Sequence, residues 1–122
     1  QAKTNGNAAV VLSFQADMFF TSNTVYALPA TAFDNTYAKA GFLKTLNTLS
    51  AESAAYGKPV LLIHGDSHVL IIDQPLTDAK GVLLENVTRL EVPAGAGRVH
   101  AVEVSVDSKS NNTFGFKVMW NK

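Results

Sequence analysis

Two hydrophobic periods divide this chain. Apolar residues run almost unbroken from Val10 to Phe14 and again from Val60 to Ile63, the pattern of strands buried on both faces of a parallel or mixed sheet. A first strand is therefore expected over residues 8–15, after a polar, frayed start at Gln1 to Asn7. Between the two runs, Phe42, Leu46, Leu49 and Tyr56 recur at helical spacing, and Gly57 and Pro59 end the pattern. Asp34 is placed to cap that helix, and Gly41 is expected inside it, weakening it locally. Residues 19–31, with Thr, Ser, Asn and Pro29, read as an ordered loop. Strand, helix and strand in this order make a βαβ crossover, for which right-handed parallel pairing is favoured.

After His68 the apolar period changes to two. Residues 69–73, 87–92, 99–106 and 114–120 are separated by segments containing Asp, Pro, Gly or Asn, which predicts antiparallel strands. In the last of them Phe114, Phe116, Val118 and Trp120 share one face, with Gly115, Lys117 and Met119 opposite, so that strand is expected to be half buried. The predicted fold is α/β, a βαβ unit followed by antiparallel strands, with residues 1–122 as a single unit.

Composition adds exclusions. The 122 residues are 47% apolar, enough for one sizeable core. Ten basic residues balance ten acidic ones without clustering, which removes the electrostatic footprint of a nucleic-acid binder. No apolar run approaches the roughly twenty residues of a membrane span. The lack of cysteine excludes disulfides, thiolate metal sites and thiol nucleophiles and leaves the compartment open.

The candidate chemistry lies where the second buried strand ends, at His64-Gly65-Asp66-Ser67-His68. Ligands of open α/β sheets bind at the carboxyl ends of strands. Histidine and aspartate are common ligands of divalent transition metals, and Gly65 lets the chain turn so that neighbouring side chains converge. Each residue also has a plainer reading. Asp66 could close an Asx turn, and His64 could be an imidazole satisfied by a backbone carbonyl. Gln15 and Asp17 leave the first strand on the same sheet edge. His100, in phase with Val102, Val104 and Val106, points toward apolar packing, where its second ring nitrogen could orient a ligand. The Asn86-Val87-Thr88 and Asn111-Asn112-Thr113 tripeptides match the glycosylation pattern, which is too short to carry weight.

The block Gly65-Asp66-Ser67-His68 resembles the last signature of the calcineurin-like metallophosphoesterases, a hydrophobic strand followed by Gly-His-x-His. His68 matches a metal ligand of that family, and Asp66 stands where its partner histidine would be. An upstream strand ending in one histidine ligand resembles the segment through Phe14-Gln15-Ala16-Asp17, with Gln15 in the histidine's place. The cadence continues to Val99-His100-Ala101-Val102 and is similar to a bacterial subgroup of that family. The resemblance implies half of a two-sheet metallophosphoesterase sandwich, and hydrolysis of a phosphate ester at a centre of Mn, Fe or Zn, mono- or dinuclear. Metal ligands would be His68, Asp66 and Gln15, with His64, Asp17 and His100 behind them.

The family's Gly-Asp-x-x-Asp and Gly-Asn-His-Glu blocks do not occur, and the chain starts at Gln1. The expectation is a C-terminal part of a longer protein, inactive without a preceding segment that brings the other ligands. Two other readings stay open. The substituted ligand positions could leave a non-catalytic, ligand-binding module. Gly65-Asp66-Ser67 also resembles the first block of the SGNH serine hydrolases, with Ser67 as nucleophile, although the late Asp-x-x-His that supplies the base there has no counterpart here.

Overall fold

The computed structural model describes residues 1–19, 41–94 and 100–120. In chain order these form strand β1 (Val10–Ser13), helix α1 (Leu43–Tyr56), and strands β2 (Val60–His64), β3 (Ile71–Asp73), β4 (Val87–Glu91), β5 (His100–Val106) and β6 (Phe114–Trp120). The first four strands make one mixed sheet in the order β1-β2-β4-β3, and β5 and β6 form a separate antiparallel pair.

Three adjacent strands run the same way. β1 is parallel to β2 with Val10 beside Val60, and β2 is parallel to β4 with Val60 beside Val87 and His64 beside Glu91. Only β3 is antiparallel, with Ile72 beside Leu90. The antiparallel expectation for residues 87–92 is thus half met, because β4 pairs in parallel on one side and antiparallel on the other. The alternating pattern marks a strand without telling which neighbour it takes. The strand expected over 69–73 shortens to three residues.

β1 departs further from expectation. It is four residues long rather than eight, and Val11, Leu12 and Ser13 are exposed. Paired among the described residues only with β2, it lies at the edge of their sheet and shows that an apolar run need not be covered on both faces. By contrast Leu61 and Leu62 at the centre of β2 are fully buried.

Helix α1 starts at Leu43, after Phe42 at the N-cap, so Gly41 lies before it rather than inside it. Gly41 has φ +80°, a left-handed turn into the helix that suits a residue without a Cβ. Asp34, the expected cap, lies outside the described residues, as does most of the segment expected to loop from 19 to 31. At the other end Gly57 adopts φ 69° and its N–H bonds the Ser53 carbonyl, the left-handed helix stop the sequence suggested.

Leu46 of α1 packs with Val60, Leu62 and Val87 of the sheet and with Met18, Phe19, Leu76 and Leu84, flanked by Phe14, Phe42, Leu49 and Tyr56. The Asn86 amide joins helix to sheet by donating to the Ser53 carbonyl at 3.0 Å and the Lys58 carbonyl at 2.9 Å. That gives this asparagine a structural use. Lys3 donates to the Ala55 carbonyl at 2.8 Å near the helix C-terminus, where a cation is favourable. No helix among the described residues is long and apolar enough to cross a membrane.

In the β5–β6 pair, His100 lies opposite Trp120 and Val104 opposite Phe116. Phe114, Phe116 and Val118 are half buried while Lys117 and Met119 are exposed, in line with the predicted two-faced strand.

Candidate functional site at the carboxyl edge of the sheet

The carboxyl ends of β1, β2 and β4 lie side by side, and each brings polar groups to the same edge. β1 supplies Asp17 four residues beyond its end, held close by the Phe14 N–H, which donates to the Ile63 carbonyl at 3.0 Å. β2 ends in His64 and β4 in Glu91, which are direct neighbours in the parallel register. One oxygen from each carboxylate and one nitrogen of His64 all lie within 4.8 Å of one another. All three residues are buried, Asp17 at 6% exposure, His64 at 2% and Glu91 at 0%.

Their environments differ. Asp17 is well bonded: its Oδ1 accepts from the Phe19 N–H at 2.9 Å, and its Oδ2 accepts from the Ser67 hydroxyl. His64 Nδ1 lies 3.0 Å from the Gly65 carbonyl. A carbonyl can only accept, so Nδ1 carries the proton and Nε2 is left with its lone pair. The backbone-carbonyl reading of His64 therefore describes one nitrogen, and Nε2 is buried with no partner among the described residues. Its ring stacks on Phe14, with centroids 5.5 Å apart and planes 8° from parallel, and tilts against Phe19 at 5.7 Å. Burial holds the imidazole below its usual range, with a further push from the Arg89 cation, against the Gly65 bond and the charges of Asp17 and Asp73.

Neither oxygen of Glu91 closes a hydrogen bond with the described residues, although the Ser67 hydroxyl and the Val69 amide approach it. Burial and then the negative charge of Asp17 push its carboxyl above the usual range. The Arg89 guanidinium, the Ser67 hydroxyl and the Val69 amide moderate that rise. Arg89, fully buried in β4, pairs with Asp73 of β3: its Nε donates to Oδ1 at 2.7 Å and its Nη2 to Oδ2. The guanidinium lies 4.8 Å over the Phe19 ring, and Nη1 has no partner among the described residues. Phe19 thus covers both His64 and Arg89.

Above this buried layer, the loop after β2 carries the residues the sequence singled out. Asp66 and His68 are exposed, and both have left-handed backbones, with φ 85° and 64°. Ser67 between them turns inward to Asp17. Gln15 is exposed on the same edge, its Nε2 4.0 Å from where a Cβ on Gly65 would sit. The Ala94 N–H reaches back to the His68 carbonyl at 3.4 Å. His100 is half buried on β5, in the second sheet.

The structure therefore brings Gln15, Asp66, Ser67 and His68 to one rim, and Asp17 and His64 to a layer beneath it. It adds Glu91 and Arg89, which the sequence reading passed over. Val87, Arg89 and Glu91 alternate with Thr88 and Leu90, a pattern that resembles an ordinary solvated face. The available signal was that neither face of that strand is wholly apolar, although Leu90 and Val87 are both buried. Comparison with protein-family models, with curated proteins and with solved structures finds no match for the chain.

Proposed function

We propose that this chain forms part of a metal-dependent phosphate-ester hydrolase of the calcineurin-like metallophosphoesterase type, with its mixed sheet and β5–β6 pair contributing half of a two-sheet sandwich. The observation that carries this reading is the strained rim: two of three consecutive residues, Asp66 and His68, hold positive φ at the carboxyl edge of parallel strands. Such backbone costs about 1–3 kcal/mol per residue and collects at functional sites. Ligand binding at this edge is the general rule for open α/β sheets.

The donors fit a divalent transition metal. His68 offers imidazole and Asp66 carboxylate, both exposed, and Gln15 a weaker carboxamide on the same edge. When bound, divalent cations would supply a water of lowered pKa and neutralise charge on the phosphate ester. His68 would hold an ion, Asp66 and Gln15 would complete or weaken its site, and the Ser67–Asp17 bond would fix the loop that carries them. A further segment of the same protein would bring the remaining ligands, so the chain by itself is expected to be inactive.

Ser67 is a poor candidate for a nucleophile, because its hydroxyl donates to the Asp17 carboxylate rather than to an imidazole base. The test is hydrolysis of an aryl phosphate by the complete gene product in Mn²⁺. His68→Ala should lower the rate by about 10 to 100-fold or more, and Ser67→Ala by only a few-fold. Covalent labelling of Ser67 by a fluorophosphonate would refute the metal reading. Metal binding without turnover would point to a non-catalytic module.

A further inference from the structure

The layer beneath the rim holds a second set of donors that hydrolysis at Asp66 and His68 does not require. Asp17, His64 and Glu91 converge there from three parallel strands. Three donor atoms in that layer, His64 Nε2 and both Glu91 oxygens, are buried and close no hydrogen bond with the described residues, although the Ser67 hydroxyl and the Val69 amide lie near the carboxylate. Buried polar atoms in native proteins are almost always satisfied. The charges are equally unbalanced. Arg89 is already paired with Asp73, which leaves Asp17 and Glu91 a surplus of two negative charges when both are ionised.

We infer that Asp17, His64 and Glu91 form a buried site for a single divalent cation, distinct from the rim. One such ion would balance the surplus charge and supply a partner to the imidazole lone pair and the Glu91 carboxylate together. Protonating Glu91 alone would remove one charge and leave the other. The Nδ1–H bond to Gly65 already fixes the tautomer that presents Nε2 as a ligand, the usual arrangement of a metal-binding histidine. One nitrogen and two carboxylates suit Mn²⁺, Fe²⁺ or Zn²⁺. Ligands about 2.0–2.2 Å from an ion lie roughly 3–4 Å apart, so closing the site takes side-chain shifts of about 1 Å. The ion would pin the ends of β1, β2 and β4 together and, through the Ser67–Asp17 bond, set the position of the rim loop.

The test strips the purified protein with a chelator, then titrates it with Mn²⁺, Zn²⁺ and Co²⁺, measuring stoichiometry by metal analysis after dialysis. One equivalent should be retained by this chain, whose rim lacks the ligands of the further segment, and equally by its Asp66→Asn/His68→Ala rim variant. Affinity should fall at least about ten-fold in Glu91→Gln, a nearly isosteric change checked for folding by circular dichroism. Nitrogen-15 spectra of the unmodified protein give a readout independent of any variant: Zn²⁺ should move the His64 Nε2 resonance while Nδ1 keeps its proton. A folded protein in which millimolar Zn²⁺ leaves Nε2 unmoved, or one whose ion is lost in the rim variant and kept in Glu91→Gln, overturns the inference.

Discussion

Replacing Asp73 by alanine should be among the most damaging single changes outside the apolar core. The substitution leaves Arg89 fully buried with neither of its two bonds to Asp73. Breaking a buried ion pair from one side costs about 3–5 kcal/mol, because the surviving charge is stranded. Two features reduce the figure here. The Asp73 side chain keeps 31% exposure, so water can enter the vacated space. The guanidinium also keeps its place over Phe19, a contact of about 0.5–2 kcal/mol. The expected loss is therefore about 2–3 kcal/mol, or roughly 8–12 °C in Tm at about 4 °C per kcal/mol for a chain of this size. Denaturant unfolding with linear extrapolation measures it, and an unchanged slope would show that the folded state was the one affected. The double variant Asp73→Ala/Arg89→Met removes both charges and should recover most of the loss. A cost below about 1 kcal/mol for Asp73→Ala alone would show that the pair is solvated and that Arg89 is not the buried anchor described here.

Three further outcomes follow from the same geometry. Leu46→Ala, at a site with 0% exposure under the sheet, should cost about 2–5 kcal/mol by denaturant unfolding. Asn86→Ala removes two bonds to carbonyls at the α1–β2 junction and should cost about 1–3 kcal/mol, with faster amide exchange near Gly57. In chelator, the two shifted groups of the buried layer should give opposite pH slopes. His64 sits below its usual range when folded, so its contribution is present above an unfolded value near 6.5 and lost as pH falls through the folded one. Glu91 sits above its range, so stability is lost as pH rises from about 4.3 through its higher folded value. Glu91→Gln should therefore leave a stability curve that rises with pH toward about 6.5, and His64→Gln one that falls from about 4.3 upward.

The order of elements was legible because apolar period and turn chemistry are local properties. The uninterrupted run through Val60 and Ile63, the helical spacing from Phe42 to Tyr56, and Gly57 as its stop each carry their own cause. Pairing direction was not legible at β4, since a strand of alternating residues satisfies a parallel neighbour on one side and an antiparallel one on the other. Exposure of β1 was hidden for a similar reason: Val11 and Leu12 look like core residues until the sheet order places them on an edge. At the site, the short motif from His64 to His68 was visible because its residues are adjacent in sequence. The buried layer joins residues 17, 64 and 91 through strand register alone. Glu91 becomes a neighbour of His64 only after β2 and β4 pair, so a single sequence gives no sign of it.

Anomalous diffraction at the manganese edge, from crystals of the complete gene product grown in Mn²⁺, tests most directly whether the carboxyl edge of this sheet is a metal-dependent centre. The account predicts a peak about 2.0–2.2 Å from a His68 ring nitrogen, with Asp66 beside it, that disappears in His68→Ala. It also predicts a second peak among Asp17, His64 and Glu91 that survives that substitution. Manganese bound elsewhere, with no anomalous density at either place on the sheet edge, would contradict it.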